Sequence, residues 1–165
     1  MTAEEGPAAY RPCVGVMLIN RDGLVWIGRR FDKRNDEGKG HWWQMPQGGI
    51  DKGEEPRLCA LRELAEETGI TSAEIIAESP RWYKYDLPEH LIGKSWKGRY
   101  RGQTQKWFAL RFTGDDSDVN LTPPGHKQEF DAWRWAQASE LADLIIPFKR
   151  AVYTQVIDDF RSLIT

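Results

Sequence analysis

Apolar residues run almost unbroken over residues 12–19 (PCVGVMLI) and stop at Asn20-Arg21-Asp22-Gly23. A short apolar run closed by a turn signal predicts a strand buried on both faces. The pattern resumes as a second strand over residues 24–28, then breaks into RRFDKRNDEGKG, residues 29–40, whose charges and glycines predict a loop. Residues 41–45 lead from it into Pro46. Further strands are predicted over residues 73–79, 82–85, 104–112 (TQKWFALRF, which alternates) and 130–135. Residues 88–102 and Pro123-Pro124-Gly125 read as irregular. A short helix is predicted over residues 138–144 and a longer one over 148–163, where Val152, Val156, Phe160 and Leu163 form a stripe at helical spacing. Strands on both sides of a central helix, followed by a C-terminal helix, predict an α/β domain with a mixed sheet between helices.

The central helix lies inside GGIDKGEEPRLCALRELAEETGI, residues 48–70. Pro56 suits a first helical turn and Gly69 the residue after the last. At about 100° per residue, Glu63, Glu66 and Glu67 share one face while Leu58, Leu61, Leu64 and Ala65 share the opposite one. The expectation is a helix that packs its leucines and displays its glutamates. Like charges at i, i+4 destabilise a helix by ~0.2–0.5 kcal/mol per pair. A hard divalent cation would reverse the sign, since Mg²⁺ prefers oxygen ligands. A bare Glu-x-x-Glu-Glu is most often just a solvated face. The wider spacing says more: Gly48, five residues, Glu54, seven residues, then Arg62-Glu63-Leu64, Glu66-Glu67 and Gly69-Ile70.

This spacing resembles the Nudix box, GX5EX7REUXEEXGU with U aliphatic, at every fixed position. The resemblance implies an α/β/α sandwich with a mixed sheet between helices, a single domain over residues 10–165 behind a flexible leader at 1–9, and metal-dependent phosphoanhydride hydrolysis. Glu63, Glu66 and Glu67 would then bind Mg²⁺ (or Mn²⁺), and one of them, or a carboxylate from outside the cluster, would take the proton from water. Glu129, in Glu129-Phe130-Asp131-Ala132-Trp133, matches the extra glutamate that the family often draws from a later loop. Glu54 and Arg62 would brace the loop–helix–loop, and Gly48 would offer a carbonyl to the metal. Tyr10-Arg11-Pro12, Trp43-Gln44-Met45-Pro46-Gln47, Gln105-Lys106-Trp107-Phe108 and Phe148-Lys149-Arg150 extend the likeness to bacterial RNA 5′ pyrophosphohydrolases and asymmetric dinucleoside tetraphosphate hydrolases. The likeness covers nearly the whole chain, although the loop between Arg30 and Trp43 is longer than in the enterobacterial RNA-processing enzymes. Trp82, Tyr85-Asp86-Leu87-Pro88 and GGIDKGE also resemble the dinucleoside tetraphosphate hydrolases; the expected substrate is a 5′-triphosphorylated RNA end, cut to leave a 5′-monophosphate, with a dinucleoside tetraphosphate cut to ATP and AMP as the alternative. Within the matched segments, Arg11, Arg30, Gln47, Lys106 and Lys149 are candidates to hold phosphates, with Lys149 expected at an exposed helix start. Tyr85 and Phe148 are candidates to stack a base. A non-catalytic binding module is the rival from another class, and the intact glutamate set argues against it.

Composition narrows this little. The chain has 165 residues and a formal net charge of −2, which excludes a strongly basic nucleic-acid coat but not a local patch. Residues 81–111 hold eight Lys/Arg against two Asp/Glu, an excess that can attract a polyphosphate or an RNA 5′ end. Cys13 and Cys59 are the two cysteines and read as buried hydrophobes without a disulfide partner. The first residues carry no signal segment, and no apolar run reaches the ~20 residues of a membrane helix. The expectation is a cytoplasmic protein with no membrane partner. Oligomeric state, metal count and base preference stay open.

Overall fold

The computed structural model describes residues 9–31, 42–92 and 99–165. The expected leader, apart from Ala9, lies outside the described residues, as do most of the 29–40 loop and part of the 88–102 stretch. The strands are β1 (Tyr10–Ile19), β2 (Val25–Arg30), β3 (Trp43–Gln44), β4 (Gln47–Gly49), β5 (Ala73–Glu78), β6 (Tyr83–Asp86), β7 (Gly102–Phe112) and β8 (Phe130–Ala136). The helices are α1 (Pro56–Thr68), α2 (Leu141–Leu144) and α3 (Arg150–Asp159). All eight strands join one mixed sheet in the order β3-β2-β1-β7-β5, with β4 added on β1, β6 on β7 and β8 on β2. β1 and β7 run parallel in unbroken register from Tyr10 opposite Gly102 to Ile19 opposite Arg111.

β1 is apolar from Pro12 on, and from Cys13 both its faces are covered. Val14, Val16 and Leu18 join Cys59, Ala60 and Leu64 of α1, while Met17 and Ile19 join Leu141, Val152 and Tyr153 on the other side. This is the sandwich that the resemblance implies. β1 and β2 pair at Ile19 and Val25 and then part. β1 next takes β4 as its partner, and β2 takes β3. The chain bridges the resulting wedge at Met45 and Pro46, held by Val16 N–H donating to the Pro46 carbonyl at 2.9 Å and by the Tyr153 hydroxyl accepting from Met45 N–H at 2.9 Å.

The packed face of α1 differs from the expectation. Leu58 is 57% exposed and Leu61 38%, while Cys59, Ala60, Leu64, Glu67 and Thr68 are buried. Small residues at 59 and 60 let the helix approach β1 and β4, so the inward face is rotated away from the leucines and toward the glutamates. Gly69 ends the helix at φ 75°, a left-handed conformation that glycine adopts without strain. β2 continues through Arg30, where a loop was expected from residue 29, and its register with β8 shifts between Arg29 and Arg30. α3 stops at Asp159, short of residue 163. Cys13 and Cys59 are both buried and unbridged, as read from the sequence. Among the described residues, no helix is long and apolar enough to cross a membrane.

Candidate active site

The box folds as a strand, a turn and a helix tied by one guanidinium. Arg62 Nε donates to Glu54 Oε2 at 2.7 Å and Nη2 to Glu54 Oε1 at 2.9 Å, a bidentate pair. Nη2 also donates to the Gly49 carbonyl at 3.0 Å, joining α1 to β4. Nη1 donates to Glu63 Oε1 and to Glu66 Oε2, both at 3.0 Å. Asp51 N–H donates to Glu54 Oε1 at 3.0 Å and closes the turn. Bonding to Arg62, then to the Asp51 amide, holds the Glu54 carboxyl down at about 2. At Gly48, an added Cβ would lie 2.0 Å from the Glu63 carboxyl carbon, so a side chain there would displace Glu63.

Glu66 is half-exposed beside Arg62. Glu67 is only 5% exposed and accepts from Gln47 N–H at 3.4 Å. Burial first, then the hydrogen bond and charge of Glu63 and the charge of Glu129, push the Glu67 carboxyl well above its ordinary range. Glu63 is raised as well, chiefly by burial. Glu129 is exposed on the chain before β8, and its carbonyl accepts from Phe31 N–H at 2.8 Å.

Cations from distant segments face these carboxylates. Lys149 is not at an exposed helix start: it is 5% exposed. A 3-10 turn over Pro147–Lys149 precedes α3 and tucks residue 149 inward, leaving Arg150 outside. Burial, then the charge of Arg30, lowers the Lys149 ammonium to about 7, against the opposing pull of Cys13 and Glu67. Its Nζ stands 5.6 Å from the Tyr85 ring centroid. The β2–β8 register shift lies at Arg30, and the Arg30 charge acts on Lys149, Tyr85 and Tyr153. The Arg11 guanidinium lies against Gly49, where a Cβ would meet Nη2 at 2.4 Å.

Not every candidate is where the sequence suggested. Tyr85 is buried, with Phe148 tilted against it at 5.6 Å between centroids, so only the half-buried Phe148 keeps a ring edge toward solvent. Lys106 points to the other face of β7, toward Phe108 and the start of α1, with Nζ 3.9 Å from Glu78. Much of the basic excess of residues 81–111 is used internally: Arg101 pairs with Asp86 at 2.8 Å and Arg111 donates to the Asn20 carbonyl at 3.0 Å. The site also contains residues that the sequence reading passed over, namely Cys13, Gln103, Gln105 and Tyr153. Burial raises the Cys13 thiol to about 11, against the opposing charges of Arg11 and Lys149. The alternation of QTQKW carried a signal for both glutamines, but residue 103 fell outside the expected strand.

The donor set fits a hard divalent cation in kind: several carboxylates, all oxygen, with Glu67 buried and its charged form disfavoured there until a cation offsets it. Among the described residues, no trio of side chains is drawn together into a ready cage. Arg62 stands between Glu63 and Glu66 instead.

Comparison with known proteins agrees with this geometry. A relative described as RNA pyrophosphohydrolase from Brucella ovis is 58% identical over 158 residues, 93% of this chain and 89% of the relative. Another so described, from Mesorhizobium japonicum, is 56% identical over 93% of this chain and 91% of the relative. Among solved structures, the Escherichia coli dihydroneopterin triphosphate pyrophosphohydrolase superposes with a TM-score of 0.65 at 22% identity, covering 91% of this chain and 98% of that one. A Caenorhabditis elegans Ap4A hydrolase complex gives 0.62 at 16% identity, covering 92% and 98%. These likenesses reach the fold alone. The NUDIX domain family model matches residues 9–156. With the complete box folded around Arg62, this chain belongs to the Nudix family.

Proposed function

We propose that this Nudix hydrolase removes the terminal phosphates from the 5′-triphosphate end of RNA, as diphosphate or as two phosphates in sequence, and leaves a 5′-monophosphate. The observation that carries the reading is the buried Lys149, held with Arg30 nearby and Glu67 acting on it from α1. A desolvated cation beside desolvated carboxylates suits an anionic chain that brings its own metal. The RNA end is favoured by the relatives described as RNA pyrophosphohydrolases, 56–58% identical over 93% of this chain.

Glu63, Glu66 and Glu67, with Glu129 and the Gly48 carbonyl, would hold Mg²⁺ or Mn²⁺. The ion supplies charge neutralisation and a more acidic bound water. Arg11, Arg30 and Lys149 neutralise phosphate oxygens, and Gln47 donates to them. An arriving phosphate chain favours the charged form of Lys149, so binding should take up a proton near neutral pH. Glu67 or Glu129 accepts the proton from water. Phe148 offers its edge to the first base. Arg62 and Glu54 brace the glutamates from behind. A cytoplasmic site of action and the single domain over residues 10–165 belong to the same reading.

The deciding measurement is turnover of triphosphorylated RNA and of diadenosine tetraphosphate, side by side with Mg²⁺. RNA converted to the monophosphate is the expected result, with a rate that falls as salt rises through counterion release. RNA left intact while the dinucleotide is cut to ATP and AMP would replace this substrate with the smaller one.

A further inference from the structure

Three glutamines and a tryptophan form a chain of side-chain hydrogen bonds that crosses from β4 over β1 to β7. Trp107 Nε1 donates to Gln105 Oε1 at 3.0 Å. Gln105 Nε2 donates to Gln103 Oε1 at 2.7 Å and, more weakly, to Gln47 Oε1 at 3.4 Å. The direction of this chain follows from chemistry. Indole nitrogen only donates, whereas an amide can be turned to present either end. Trp107 must therefore meet the oxygen of Gln105. The Gln105 NH2 is then the end left for Gln103 and Gln47, and both must answer with oxygen. Their own NH2 groups are thereby turned away from the relay, and they meet no protein acceptor among the described residues.

Trp107 is well placed to impose this order. It is fully buried and seated over Gly15, where a Cβ would lie 2.3 Å from its ring. Tyr153 packs edge-on against it at 5.6 Å and 84°. Gln103 and Gln105 are 4% and 1% exposed. Arg11 stands opposite Gln103 on β1, and Tyr85 opposite it on β6, with Lys149 over the Tyr85 ring. Gln47 donates its backbone N–H to Glu67. The relay thus runs between the cations and the carboxylates.

We infer that Trp107 and Gln105 are positioning residues: they lock Gln47 and Gln103 with their NH2 groups toward the phosphate chain, making Gln103 a phosphate-binding residue. The inference rests on the proposed function, in that a phosphate chain occupies the wedge. A donor that cannot flip to present its oxygen favours anionic phosphate over a neutral or cationic group, without adding a charge to the site.

The test uses the full chain with Gln side chains labelled for NMR, in EDTA, and adenosine 5′-triphosphate as the probe. The side-chain NH2 signals of Gln103 and Gln47 should shift along the same saturation curve as the backbone signal of Lys149. Gln105→Met removes the link without adding charge. It should raise KM for triphosphorylated RNA several-fold, roughly the loss of one charge-assisted hydrogen bond, with kcat within about threefold of wild type. Trp107→Phe should move KM the same way. A purely structural role would lower Tm and leave KM unchanged in the folded protein, and that result overturns the inference. ATP that shifts Lys149 but neither glutamine also overturns it, leaving the proposed function standing. ATP that shifts nothing in a protein still active with Mg²⁺ does the same. No shift and no turnover would remove both.

Discussion

Arg62 and Lys149 both face the glutamates of α1, and the fold treats them oppositely. Arg62 is given more carboxylate than one guanidinium can neutralise: Glu54 at 2.7 Å, with Glu63 and Glu66 at 3.0 Å. It keeps its charge and stays in place. Lys149 is stripped of water, set against the Tyr85 ring and lowered to about 7 by burial and by Arg30. One cation is satisfied in the resting fold; the other is costly there and gains when an anion arrives. In the proposed function the difference separates a brace from a binding group, although a sequence shows only an arginine and a lysine.

The largest test removes what both cations serve. Glu67→Gln keeps shape and loses a buried charged oxygen. It should lower kcat on the order of a thousandfold with Mg²⁺. The metal-free Tm should be no lower than wild type, because the carboxylate it replaces was desolvated and beside Glu63. Near-normal turnover would undo the metal assignment.

Arg62→Ala comes next and should strike stability. Glu54, Glu63 and Glu66 lose their shared donor, for a loss of about 1–3 kcal/mol by denaturant titration. Glu54 sits at about 2 in the fold against an ordinary 4.5. Its depressed value means stabilisation that is complete above 4.5 and lost as pH falls toward 2. The variant should therefore show a shallower loss of Tm over that acid range. A Tm and acid profile equal to wild type would mean that Arg62 braces nothing.

Lys149→Met should separate the two cations most clearly. We expect kcat/KM to fall about tenfold, the scale of one charge-assisted contact, while Tm at pH 7 rises. The sign follows from the lysine's two proton affinities, about 7 in the fold and 10.5 ordinarily. Between those values the unfolded chain binds a proton that the fold refuses, so wild-type stability climbs as pH rises through that window. In the methionine variant this climb should flatten. A lowered Tm at pH 7 would show that the ammonium is satisfied after all.

Lys106→Ala is the smallest change. On the far face of β7, with Glu78 at 3.9 Å, it should leave RNA turnover within about twofold and stability within ~0.5 kcal/mol. A KM effect as large as that of Lys149 would show that substrate reaches round the sheet.

Much was legible along the chain because it depends on neighbours in sequence. The β1 run and the bracketing of α1 by Pro56 and Gly69 follow from local spacing, and the resemblance implied the pairing of Arg62 with Glu54; the meeting of Glu63 and Glu66 on the same guanidinium was not read from the sequence. The leucines of α1 show where local reading stops. Leu58 and Leu61 form an apolar stripe, yet the helix packs through Cys59, Ala60 and Leu64. Which flank faces inward was decided by how closely β1 and β4 lie, and small side chains permit that approach.

The sequence by itself determined the box, the brace and the alternation of sheet and helix. Those are set by covalent spacing and by the 3.6-residue and two-residue periods. Only the tertiary structure decided that Lys149 is buried, that Arg30 lies close enough to act on it, and that Trp107 meets Gln105, which in turn reaches Gln47 of β4 and Gln103 of β7. Each of these depends on desolvation or on contact between segments far apart in the chain. Loss of water sets a lysine's charge, and a neighbouring strand decides which end of an amide faces the site.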